Sequence, residues 1–113
     1  MRLLFAVLLA ATAVSCSPLN SEYVLTGSQR PAYTGAVRVV LEGAPYEGAV
    51  TEVAIVTATG GGANAKLPAV LGQLQTQAGA LGCNAVIRVH FDQGTSIASA
   101  TGVAVWLDAP APK

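Results

Sequence analysis

Hydrophobic positions change period along the chain, and each period predicts a different element. Over Ala36–Glu42, Val37, Val39 and Leu41 alternate with Arg38, Val40 and Glu42, the period-2 signature of a strand. Gly43-Ala44-Pro45 ends that run. A second strand is predicted from about Val50 to Ala58, where Thr51, Val53, Ile55 and Thr57 share one side and Val50, Glu52, Ala54, Val56 and Ala58 the other. Both sides of its later half are apolar, as expected of a strand covered on two faces. Leu67, Val70, Leu71, Leu74, Ala78 and Leu81 recur at helical spacing, which predicts a helix over Lys66–Ala80. Pro68 belongs in its first turn and Gly82 just past its end. A third strand is predicted over Ala85–Asp92 and a last one over Ala98–Leu107, joined by Asp92-Gln93-Gly94-Thr95.

Two strands, a helix and two more strands predict an α+β fold over residues 36–108. The expectation is a small two-layer domain of order β-β-α-β-β, with the amphipathic helix packed on the sheet. Strict alternation assigns Ile87, Val89, Phe91, Val103 and Val105 to the face under the helix. Val86, Ala104 and Trp106 are left for the second face and become the candidate interface with a second copy or an envelope partner.

The first residues follow another logic. Arg2 precedes an apolar stretch from Leu3 to Ala11, and small residues lead to Cys16, the layout of a signal peptide over residues 1–15. Its apolar run is too short for the ~20 residues of a spanning helix. Ala13-Val14-Ser15-Cys16 resembles a bacterial lipobox, with Ala13 where leucine is most frequent, and makes Cys16 the candidate lipidation site, a diacylated and palmitate-type anchor. The same small residues also fit ordinary signal-peptidase cleavage, which gives a secreted or periplasmic soluble protein instead. Ser17 resembles the residue that follows the cysteine in lipoproteins sent to the outer membrane, facing the periplasm. Residues 16–35, punctuated by Pro18, Asn20, Gly27 and Pro31, read as a tether, with local docking of Tyr23, Val24 and Leu25 open to it, and the proline-containing 109–113 as a frayed tail.

Composition narrows the chemistry. Hydrophobic residues make up 52% and charged residues 11% of the 113, so a packed core is expected rather than disorder. Beyond Cys16 the chain carries six carboxylate and five basic side chains, too few cations for a phosphate-neutralising surface, and no nucleic-acid partner is expected. Gly60-Gly61-Gly62 precedes Lys66 without the GxxxxGK[ST] spacing of a phosphate loop, so no nucleotide cofactor is expected. With Cys16 acylated, Cys83 has no internal partner and is expected to be an unpaired buried thiol; without acylation a Cys16–Cys83 disulfide is open to it. Arg88, His90 and Asp92 form a polar ladder on one strand. His90 and Asp92, two residues apart, are the candidate metal ligands, with Glu42, Glu47 or Glu52 as further donors, against the four that a structural zinc site requires. One histidine with no converging nucleophile and acid predicts no enzyme.

The segment Leu81-Gly82-Cys83-Asn84-Ala85-Val86-Ile87-Arg88-Val89, with Thr101-Gly102-Val103-Ala104-Val105 after it, resembles the YbjQ-like family, whose members carry the label of heavy-metal-binding domains. The likeness spans about residues 36–107. It implies the same α+β arrangement and a homo-oligomer, since such domains are associated with pentameric rings. The RcsF-like outer-membrane lipoproteins are a more distant resemblance that agrees with an anchored domain, although this chain lacks their several cysteines. The reading is a cell-envelope lipoprotein with a non-catalytic interaction or regulatory domain, or alternatively a metal-binding envelope protein using His90 and Asp92.

Overall fold

A computed structural model describes residues 19–108; the expected signal peptide, Cys16 and the expected tail at 109–113 lie outside the described residues. One helix packs on a five-stranded mixed sheet. The strands are β1 (Asn20–Leu25), β2 (Arg38–Leu41), β3 (Ala49–Gly61), β4 (Ala85–Gln93) and β5 (Ile97–Asp108). A short 3₁₀ turn, Gly62–Asn64, leads from β3 into the helix α1 (Leu67–Ala80). Spatial order is β1-β3-β5-β4-β2. All neighbours are antiparallel except β2 and β4.

The order agrees with the α+β expectation and adds a strand to it. Residues 20–25, expected within the tether, form β1, which pairs along β3 from Asn20↔Thr59 to Leu25↔Ala54. Its six residues, half of them polar, give little periodic signal. The long strand β3 supplies the unpaired backbone edge that orders them. Beyond β1, Arg30 N–H donates to Leu81 O (3.2 Å) and Tyr33 N–H to Gly79 O (2.9 Å), so the connection to β2 runs along the helix's C-terminal end.

Two bulges change which side chains share a face. In β3 the register slips between Glu52 and Ala54, and both Val53 and Ala54 join the core under the helix. In β4 it slips between Ile87 and His90, where Arg88 has φ +53°. A regular strand would keep Ile87 and Val89 together. With one residue inserted, Val86 and Val89 pack with Val70, Leu74 and Ala78 of α1, whereas Ala85 and Ile87 join Val40, Val105 and Leu107 on the opposite face. The expected face assignment is reversed for Ile87, Val103 and Val105, which leave the helix side, for Trp106, which joins it, and likewise for Val86 and Ala104. The last two are fully buried beneath the helix, and neither lies on a free surface.

The helix-side core is the larger, and each fully buried Val or Leu in it contributes ~1.5–3 kcal/mol. On the other face Tyr46, from the loop after β2, packs with Val50 and Val103 against the cluster of Val40, Ala85, Ile87, Val105 and Leu107. Toward β1 that cover stops. Val24 and Ile55, opposite one another in the register, are 66% and 45% exposed, and Val103, opposite Ile55 on β5, is half-buried.

The junction between α1 and β4 follows from two residues. Cys83 N–H reaches back to Ala78 O (2.9 Å), the closing bond of a Schellman turn, and Gly82 takes the required left-handed conformation at φ +87°. Asn84 then pairs with β5 through its side chain: its Nδ2 donates to Leu107 O (2.9 Å), and its Oδ1 accepts from Leu107 N–H (2.7 Å). An amide side chain presents the donor and acceptor of a peptide group, so it extends the ladder by one pair.

Candidate functional site

The parallel pairing of β2 with β4 carries Glu42, just past the end of β2, alongside His90. Glu42 N–H donates to Val89 O (3.0 Å), and its carboxylate Oε1 lies 3.1 Å from His90 Nδ1. On the other edge of the ring, Asp92 Oδ1 lies 3.3 Å from His90 Nε2. The expected pair His90 and Asp92 is brought together, with Glu42 as a third member. Arg88 is not in line with them, because the bulge at its own position breaks the ladder.

A carboxylate at each nitrogen of an imidazole favours the imidazolium, in which both N–H groups donate. The hydrogen bond to Glu42, foremost, and the charge of Asp92 raise the His90 pKa above its ordinary 6.5. The folded state therefore favours the protonated ring. Its stabilising contribution is present below the unfolded pKa and is lost as pH rises through the higher folded value. Following the ring Hε1 resonance by NMR against pH is expected to give an apparent pKa above 6.5, with a fall back toward that value in both Glu42→Gln and Asp92→Asn. Equal values in all three chains would show that the carboxylates do not hold the ring.

Trp106 is placed by a different set of contacts. It shares the helix-side face of β5 with Ala104, half-buried, and the connection between β1 and β2 folds over it. The Arg30 guanidinium sits 4.6 Å from the ring centroid, and Tyr33 meets the ring edge-on with centroids 5.4 Å apart. The indole N–H donates to Asp108 Oδ1 (3.1 Å). Trp106 is thereby occupied within its own chain, by a segment whose polar sequence gave no warning that it would pack.

Beside Tyr33 that segment and the helix enclose an open groove of about 470 Å³, walled by Gly72, Gln75 and Thr76 on one side and Gly35 and Val37 on the other. Gln75 spans it, donating to Val37 O (2.7 Å). Gln73 and Gln77, off the helix's apolar stripe, both hydrogen-bond Ser21 of β1 (3.1 and 2.8 Å) and so tie the edge strand to the helix.

Cys83 is a free, fully buried thiol, and burial pushes its pKa up to about 11. It is neutral at physiological pH and lacks the thiolate character that reactivity needs. Among the described residues no cluster of three or more His, Cys, Asp or Glu side chains has a metal-holding arrangement. Among them, too, no helix is long and apolar enough to cross a membrane.

No family model, curated protein or solved structure matches the chain.

Proposed function

We propose that the chain is a cell-envelope lipoprotein, anchored through Cys16 in the outer membrane and facing the periplasm, whose domain serves as a non-catalytic interaction or regulatory module. The observation that carries the interaction role is the apolar row Val24, Ile55 and Val103 on the sheet face away from the helix. Isolated exposed apolar side chains are ordinary, but these three stand opposite one another on adjacent strands, bordered by Glu22 and the hydrogen-bonded pair Thr57 and Thr101. An apolar centre with a polar rim is the anatomy of a contact surface. The leader and the lipobox-like Ala13-Val14-Ser15-Cys16 support the anchored setting.

The resemblance to YbjQ-like domains makes a second copy the first partner to test. Light scattering on the Cys16→Ser chain is expected to reveal a discrete oligomer. Ile55→Asp is expected to reduce it to a monomer while the circular dichroism of helix and sheet persists. A wild-type chain that stays monomeric across concentration and salt would remove self-assembly, leaving crosslinking in the envelope to identify a different partner.

A second reading, metal binding, starts from His90 and Asp92, which stand together beside Glu42, although the three lack a metal-holding arrangement. Each ring nitrogen already faces a carboxylate, so a metal ion has to displace a proton and a hydrogen bond before it gains its first ligand. Titration with zinc, copper and nickel is expected to show only weak binding, unchanged in His90→Ala. Stoichiometric submicromolar binding lost in that variant would favour the metal-binding reading over the interaction module.

A further inference from the structure

We infer that the end of the domain where the chain arrives from Cys16 is seated on the phospholipid surface, with Ile97 and Leu67 in the interface and Lys66 among the phosphates. This inference rests on the reading of Cys16 as the lipid anchor. Because β1 starts at Asn20 and residues 20–25 are built into the sheet, only four residue steps separate Cys16 from the folded domain. Fully extended they span at most ~14 Å. The 12 residues of β5, by comparison, run for ~40 Å. An anchor this close holds one end of the domain at the bilayer at high effective concentration, so even weak contacts there are occupied.

Which end it is follows from the register. Asn20 pairs with Thr59, near the end of β3 at which Gly61 pairs with Ile97. The same end holds the β4–β5 turn and the start of α1, joined by Gly62 N–H to Ser96 O (3.1 Å) and by Gln93 Nε2 to Ala65 O (2.9 Å). Ile97 and Leu67 are 56% and 41% exposed there, beside the exposed Lys66. Asp92, level with Asn20 through Thr59 and Ser99, is turned onto His90. Glu47, Glu52 and Asp108 lie toward the opposite end, where Ala49 pairs with Asp108. Glu22, two residues along β1 from Asn20, and Asp92 are exposed carboxylates of this half of the sheet, but they stand along the strands rather than at the Gly61–Ile97 end itself, where apolar side chains beside a cation suit an interface bearing anionic lipid. The strands then stand away from the membrane, presenting the Arg30, Tyr33 and Trp106 cluster and the loop holding Tyr46 to the periplasm.

The test uses the full lipidated chain, reconstituted into vesicles of phosphatidylethanolamine and phosphatidylglycerol, with an environment-sensitive fluorophore at Ile97→Cys or Glu47→Cys. Cys83 is buried and Cys16 is blocked as a thioether, so each variant is labelled at one site. Nitroxide carried on the lipid headgroups is expected to quench the probe at 97 several-fold more than the probe at 47, and Lys66→Glu to lessen that difference. Equal quenching at both sites, or stronger quenching at 47, overturns the orientation. Shielding at 97 in native membranes but not in pure lipid vesicles overturns the lipid as occupant and assigns the end to a protein. Intact mass on the same sample separates the premise: Cys16 without a diacylglyceryl group removes the anchor and this inference together, whereas a lipidated chain with equal quenching removes only the inference.

Discussion

Val86→Asp is expected to leave the domain unfolded, whereas Ile55→Asp is expected to leave it folded. Val86 is fully buried between the sheet and Val70, Leu74 and Ala78, with no polar side chain in that core to receive a carboxylate. An unpaired charge there costs more than ~4 kcal/mol. A domain's whole stability is about 5–15 kcal/mol, so most or all of it is lost. Ile55, one row along from Ala54 and on the other face, has nearly half its surface in water, where a carboxylate stays solvated. Circular dichroism and Trp106 fluorescence of the two variants measure the difference. A folded Val86→Asp chain would return Val86 to the open face and invalidate the bulge at Arg88 as the element that reverses the facing.

Gly82→Ala is expected to lower the unfolding free energy by about 2–5 kcal/mol, combining left-handed backbone strain with overpacking. A Cβ at this position would stand 2.4 Å from Arg30 Cβ and 2.6 Å from Pro31 O, and the latter is backbone that cannot swing aside. The Arg30–Pro31 segment would have to lift off the helix end, weakening the Arg30 and Tyr33 contacts with Trp106. Gly72→Ala is the control. That glycine is inside α1 with open space around its missing Cβ, so alanine there is expected to stabilise by about 0.5–1 kcal/mol through helix preference. Urea unfolding with unchanged slope, the midpoint moving down for one and up for the other, is the measurement. A Gly82→Ala midpoint equal to that of the unsubstituted chain would refute the tight junction.

How much of this was legible in sequence varies with the range of the forces involved. The helix was legible because an apolar stripe at 3.6-residue spacing, with proline at its start and glycine past its end, is a local pattern that survives any packing. Strands β2, β4 and β5 were legible for the same reason, to within two residues at each end. Strand β1 was not, since Asn20–Leu25 becomes a strand only by completing the edge of β3, whose paired residues lie far along the chain, from Leu25↔Ala54 to Asn20↔Thr59. The candidate pair His90 and Asp92 was legible from a two-residue separation. Glu42 was named only as one of three carboxylates, because its place beside His90 depends on the parallel pairing of β2 with β4.

The amino-acid pattern by itself determined the fold class, the limits of the helix and most strands, the glycine at the helix end and the burial of Cys83, all of which depend on side-chain size, polarity and local backbone preference. Tertiary structure alone decided which face each strand residue occupies. A single inserted residue at Arg88 and another at Val53 move the side chains on either side to opposite faces, and no local preference announces a bulge. The packing of α1 and of the Arg30–Tyr33 segment on one side of the sheet then decides that Val86 and Ala104 are buried, that Trp106 is held by Arg30 and Tyr33, and that Val24 and Ile55 face solvent.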